Sequence, residues 1–171
     1  MTGSRSMDIV LDTNVLLMSL SLRHEYSRIW ESFVKGDYTL CLSNDIMEEY
    51  EEVISRNINP KVARIVISYL LILPNVRFLD PHYSFGLIKA DVDDNKFVDC
   101  AICGNAKYIV SEDHHFDILK EYSFPRVEVI GIDLFANILK VRPYSLPDED
   151  SPMLLNEDAA EYSNKKSESN L

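Results

Sequence analysis

Five short apolar runs, each followed by a stretch of different periodicity, constrain this chain more than any other feature. The runs at 9–11, 38–42, 76–79, 108–110 and 127–130 read as β-strands. Between them lie segments with helical spacing, expected from about residue 14, over 25–35, 44–56, 60–74, 94–106, 115–122 and 132–139. Strands that alternate with helices pair in parallel through helical crossovers. The expected fold class is therefore α/β, a three-layer α/β/α sandwich around a central, mostly parallel sheet.

Local punctuation sets the boundaries. Gly36-Asp37 closes one helix, Ser43 and Asn44 offer caps for the next, and Asn59-Pro60 breaks that helix and starts another. From Pro143 onward the periodicity is lost and the chain turns rich in Pro, Ser, Asn and charge. Three regions are expected: residues 1–6 as a disordered or appended N-terminus before a natural start at Met7, residues 7–142 as one domain, and residues 143–171 as an acidic disordered tail or partner-binding arm. A chain of 171 residues holds one such domain with a real core.

Charge and cysteine usage exclude several classes. The net charge of −11 argues against binding nucleic acid with the whole surface, although it permits a local basic rim. Five of those eleven negative charges fall in the tail, where seven acids face Lys165 and Lys166. No apolar run approaches the ~20 residues that span a bilayer, and the first seven residues lack the apolar core of a signal peptide. A cytoplasmic protein with no membrane partner is expected. The three cysteines, Cys41, Cys100 and Cys103, sit in apolar surroundings and read as reduced and buried. Cys100 and Cys103 form a CxxC, but it lies inside a helix and has no second pair to complete a zinc site.

The acids at the strand ends carry the chemistry. Ligands of an open parallel sheet bind at the carboxyl ends of its strands. Asp12 follows the first strand directly, and Asp113 lies three residues past Val110. Either could instead cap the helix after it. Glu49 is chosen by helix projection. Ile46, Tyr50, Val53 and Ile54 form an apolar arc, Glu49 borders it beside Val53, and Glu48, Glu51 and Glu52 fall on the other side. Asp91, Asp93 and Asp94 open another helix, where the dipole favours carboxylates. Only Asp94 shares the stripe of Phe97, Val98 and Ala101. Asp99 interrupts the same apolar stretch, as a further site acid or as a buried hydrogen-bonding group.

Four carboxylates at one point repel one another, and a divalent cation resolves the conflict. Oxygen-only ligands suit Mg²⁺ or Mn²⁺, and such ions orient and acidify water for attack on a phosphate. Without a nucleophilic Ser/His/acid set, metal-assisted phosphodiester hydrolysis is the expected reaction class.

Four sequence motifs carry a resemblance. Leu11-Asp12-Thr13-Asn14-Val15 resembles the opening motif of PIN domains. The stretch from Leu42-Ser43 to Glu49-Tyr50-Glu51-Glu52-Val53 is similar to their second motif, Asp91-Val92-Asp93-Asp94-Asn95-Lys96-Phe97 to the third, and Tyr108-Ile109-Val110-Ser111-Glu112-Asp113 to the fourth. The resemblance runs over about 7–139 and is closest in character to the VapC-like toxins of toxin–antitoxin systems. It implies a PIN-like fold and a ribonuclease holding Mg²⁺ or Mn²⁺ through Asp12, Asp94 and Asp113, helped by Glu49. Asn14 and Ser111 would orient carboxylates or water. It further implies an RNA substrate, a cognate antitoxin and a homodimer. The chain departs from the pattern at His115, where the family often has an acid, with Asp117 as a partial substitute.

Two other enzyme classes fit poorly. A phosphatase of the haloacid dehalogenase type wants a second acid where Asn14 stands, and a receiver domain needs a different order of acids and lysine. The competing reading is a non-catalytic PIN-like scaffold that binds RNA or a protein partner. RNA contacts are expected from Arg23, His24, Arg28, Lys96 and His114, on nearness to the motifs alone.

Overall fold

The computed structural model describes residues 6–21 and 25–139. The expectations for 1–5 and 140–171, and for Arg23 and His24, lie outside the described residues.

Five strands form one sheet: β1 (Met7–Leu11), β2 (Tyr38–Leu42), β3 (Val76–Phe78), β4 (Tyr108–Val110) and β5 (Val129–Ile130). Among the described residues, five α-helices lie between the strands, α1 (Thr13–Leu20), α2 (Ser27–Lys35), α3 (Asn44–Asn57), α4 (Pro60–Ile72) and α5 (Asn95–Gly104), and a sixth, α6 (Ile132–Ile138), follows β5. A 3₁₀ segment at His114–Glu121 replaces the short helix expected there. The strand order is β3-β2-β1-β4-β5, and every pairing is parallel. The expected α/β fold is thus present, with a wholly parallel sheet.

The elements end where the sequence chemistry stops them. The Ser43 hydroxyl accepts from the Ile46 amide to cap α3, and the Asn59 side chain accepts from the Val62 amide to cap α4, with Pro60 in the first turn. Gly36 ends α2 at φ 83°, a conformation that costs a glycine little.

Strand β2 is buried along its whole length, because layers cover both of its faces. Tyr38 packs its ring against Phe33 of α2 and Phe135 of α6, at 5.8 and 5.2 Å between centroids. Cys41 projects from the opposite face, where Gly104 of α5 lies so close that a Cβ there would sit 3.5 Å from the Cys41 sulfur. Burial pushes the Cys41 thiol up to about 11 and the Cys100 thiol up to about 12, so both stay protonated at neutral pH. Cys103 is exposed, against the expectation that all three are buried, because its turn of α5 faces outward.

The chain order positions the site. From β1 it moves outward to β2 and β3, then returns to the other side of β1 for β4 and β5. The crossovers leaving β1 and β4 therefore diverge, opening a crevice at the carboxyl ends of those two strands. Among the described residues, no helix is long and apolar enough to cross a membrane.

Candidate functional site

The β1–β4 ladder runs one residue past β1, with the Asp12 amide donating to the Val110 carbonyl at 3.0 Å. Ser111 likewise continues β4, donating its amide to the Ile130 carbonyl at 3.0 Å. Both residues are therefore fixed by sheet hydrogen bonds before their side chains act. The Ser111 hydroxyl donates to Asp12 Oδ2 at 2.7 Å and accepts from the Asp113 amide at 3.0 Å. Asp12 precedes α1, with no side-chain cap bond within hydrogen-bond geometry, and the Asn14 and Thr13 amides nonetheless favour its charged form. Asp113 does cap: its Oδ1 accepts from the His115 amide at 2.9 Å.

Burial raises the Asp12 carboxyl above its ordinary range; the Ser111 hydrogen bond works against that shift, and the Asp113 charge adds to it. Asp94 stands at the start of α5, half-buried and without a cap bond. Its carboxyl rises to about 6, first through burial, then through the charges of Asp91, Asp12 and Asp113, with His115 opposing. These cross-influences put Asp12, Asp94 and Asp113 in one electrostatic neighbourhood.

His115 lies between two of these acids. Its Nδ1 is 3.3 Å from Asp113 Oδ1 and 3.5 Å from Asp94 Oδ2. Neither that nitrogen nor Asp94 Oδ2 has a hydrogen-bond partner, although both atoms are buried. Among the described residues, two sets of side chains bring three possible ligand atoms within 4.8 Å of one another: Asp91, Asp94 and His115, and Asp113, His114 and His115. Asp12 and Glu49 belong to neither set.

Glu49 is held separately. Thr13 donates its hydroxyl to Glu49 Oε1 at 2.5 Å, and the Lys96 ammonium pairs with Glu49 and with Asp93. Burial works against the charged lysine, but the two carboxylates outweigh it and raise its pKa. Lys96 was expected as an RNA contact; the structure places its charge between two acids instead. Below it, the Tyr50 hydroxyl donates to the Leu11 carbonyl at 2.5 Å, tying α3 to the last residue of β1.

The remaining expected residues divide clearly. Asn14 is exposed. Asp99 is buried and accepts from the Phe85 amide at 2.9 Å, which anchors the 79–94 loop, so its hydrogen bond runs to a loop and not to another helix. It lines a cavity of about 560 Å³ with Ser43, Tyr83 and Lys96. Asp117, the possible substitute acid, is engaged by Lys120 on the surface and belongs to neither ligand set. Arg28 pairs with Glu31 at 3.2 Å. His114 is exposed, with its Nδ1 3.5 Å from Asp113 Oδ1.

Sequence reasoning passed over Thr13, Asp91 and Asn95. Thr13 had one signal, its place beside Asp12 at the start of a helix. Asn95 is buried and holds the Ile88 backbone from both sides, donating to its carbonyl at 2.7 Å and accepting from its amide at 2.9 Å.

A parallel sheet with a buried Asp12 and half-buried Asp113 beyond the strands at its topological switch point defines a class of α/β protein with acids at the carboxyl edge of the sheet. Residues 8–115 match the family model described as PIN domain. The chain belongs to the PIN domain family. The fold is similar to a chain of the crystal structure of VapBC2 from Rickettsia felis bound to a DNA fragment from their promoter, with a TM-score of 0.50 and 16% identity. That likeness covers 73% of this chain and 98% of the other. No curated protein sequence matches.

Proposed function

We propose that this PIN domain is a divalent-metal-dependent endoribonuclease that hydrolyses RNA phosphodiester bonds as the toxin of a toxin–antitoxin pair. The observation that supports the reading is the Ser111 hydroxyl joining Asp12 to the Asp113 backbone at the ends of β1 and β4, together with a buried Asp94 oxygen that has no hydrogen-bond partner among the described residues. A buried carboxylate oxygen without a donor is costly unless a cation reaches it. The donor set, mostly carboxylate oxygen, suits Mg²⁺ or Mn²⁺.

The family resemblance assigns the ion to Asp12, Asp94 and Asp113, and the ligand-spaced atoms of Asp94 and Asp113 around His115 support the last two. Such an ion supplies positive charge for a phosphate's oxygens and a lowered pKa for water. The chain's own residues do the positioning. Ser111 fixes the Asp12 carboxylate and the Asp113 backbone together. Thr13 and Lys96 fix Glu49, whose carboxylate would orient a water in this reading. Asn14, exposed at the first turn of α1, would be available to the substrate, while Asp99 holds the 79–94 loop. Arg28 and His114 remain candidates for phosphate contacts at the rim, as do Arg23 and His24 by sequence.

The toxin role rests on the VapC-like motifs and on the fold shared with the VapBC2 chain. It brings with it a cognate antitoxin, a homodimer and a cytoplasmic setting. Metal binding by the purified protein separates this reading from the non-catalytic scaffold. Mn²⁺ should raise the thermal midpoint of the wild type, EDTA should reverse the rise, and Asp12→Asn should abolish it. A wild type indifferent to Mn²⁺ would favour the scaffold.

A further inference from the structure

We infer that His115 is itself a metal ligand, so that the centre is a mixed nitrogen–oxygen site that prefers first-row transition ions to Mg²⁺. This rests on the proposed metal centre and adds to it the identity of the ion.

The geometry supports it from two sides. Around an ion with bonds of ~2.1 Å, neighbouring ligand atoms lie about 3.0 Å apart at right angles and about 3.4 Å apart at the tetrahedral angle. His115 Nδ1 lies 3.5 Å from Asp94 Oδ2 and 3.3 Å from Asp113 Oδ1, spacings characteristic of atoms that share an ion. The side chain is anchored at the start of the 3₁₀ segment, where its own amide donates to Asp113. The ring is also packed against His114, with centroids 4.4 Å apart. Neither Nδ1 nor Asp94 Oδ2 finds a hydrogen bond, although both are buried and adjacent. A hydrogen-bonded pair would leave neither atom unsatisfied; two lone pairs aimed at a common ion would look as these do.

Asp94 and His115 also come within ligand spacing of Asp91, whose carboxylate accepts from the Asp93 amide at 3.1 Å and so keeps the turn before α5 in place. Asp94, Asp91 and His115 thus offer two oxygens and one nitrogen. Mg²⁺ is a hard ion that takes oxygen almost exclusively, whereas an imidazole strengthens binding of Mn²⁺ and of the ions beyond it in the first row. Replacing the imidazole by a carboxylate, His115→Asp should make the donors of this set all oxygen.

Pulsed electron paramagnetic resonance of the full-length protein loaded with Mn²⁺ tests this directly. The wild type should show ¹⁴N coupling from a ligating imidazole. The coupling should vanish in His115→Asp and in His115→Gln and persist in His114→Asn. Calorimetry should show the preference for Mn²⁺ over Mg²⁺ falling at least tenfold in His115→Asp. Mn²⁺ bound in an Asp94-dependent way without nitrogen coupling, or with coupling that follows His114, would overturn the assignment and leave the nuclease reading standing. Absence of any Mn²⁺ binding by the wild type would overturn both.

Discussion

The Ser111 hydroxyl donates to Asp12 Oδ2 at 2.7 Å, joining residues 99 positions apart through buried atoms. The bond exists because β1 and β4 are neighbours in the sheet although they lie far apart in the chain. It gives a buried carboxylate a donor and sets its direction. Ser111→Ala should cost about 1.5–3 kcal/mol of folding stability, as expected for a buried hydrogen bond to a charged group, measured by urea titration. Metal affinity should fall about tenfold to a hundredfold, since the carboxylate loses the group that orients it. Unchanged affinity would show that the ion does not depend on the Asp12 orientation.

Asp94 links stability to pH. Its carboxyl rises from its ordinary 3.8 to about 6 in the fold, chiefly through burial. Between those values the folded protein binds more protons than the unfolded chain. Stability from this group is therefore full below 3.8 and is lost as the pH climbs through about 6. In EDTA, Asp94→Asn should be more stable than the wild type above about pH 6, with the gap closing toward pH 4. Urea midpoints across that range check this; a gap independent of pH would place the Asp94 carboxyl in ordinary water.

Lys96 should contribute little to the salt dependence of RNA binding. Its ammonium is already shared by Glu49 and Asp93, so it has few counterions to displace from a phosphate. Lys96→Met should leave the slope of log affinity against log salt essentially unaltered. A slope reduced by about one would mean that the lysine leaves its carboxylates for a phosphate.

Tyr50 offers a control whose hydroxyl bonds to backbone and not to any of the proposed ligands. Its buried hydroxyl donates to the Leu11 carbonyl at 2.5 Å. Tyr50→Phe should cost about 1–2 kcal/mol in a denaturant titration, because a carbonyl loses its partner, and should leave Mn²⁺ binding in place. Loss of both together would mean that the β1–α3 tie also sets the site.

Much of this architecture is legible residue by residue. Asp12 and Asp113 could be placed because an apolar strand must end before a charge begins. Asp94 could be placed because its helix phase matches Phe97 and Val98, both fully buried or nearly so. The 38–42 and 108–110 strands agree with the structure to the residue for the same reason. What escaped was side-chain pairing between distant elements. Nothing in local periodicity shows that Thr13 bonds to Glu49 across 36 positions, or that Lys96 turns inward to two acids. The central place of His115 escaped as well, because the segment is a 3₁₀ turn whose side chains do not follow α-helical phase. Asp99 is the converse case: its burial was foreseen, but its partner proved to be the Phe85 amide of a loop with no periodicity to read.

The most direct measurement is cleavage of a mixed RNA pool by the purified protein with and without Mn²⁺, beside Asp94→Asn. The wild type should cut only when the ion is present, and EDTA should stop it. Asp94→Asn should lose at least a hundredfold in rate while remaining folded, as expected when an ion loses a ligand. Equal cleavage by the two proteins, or no cleavage by the wild type with Mn²⁺, would contradict the account.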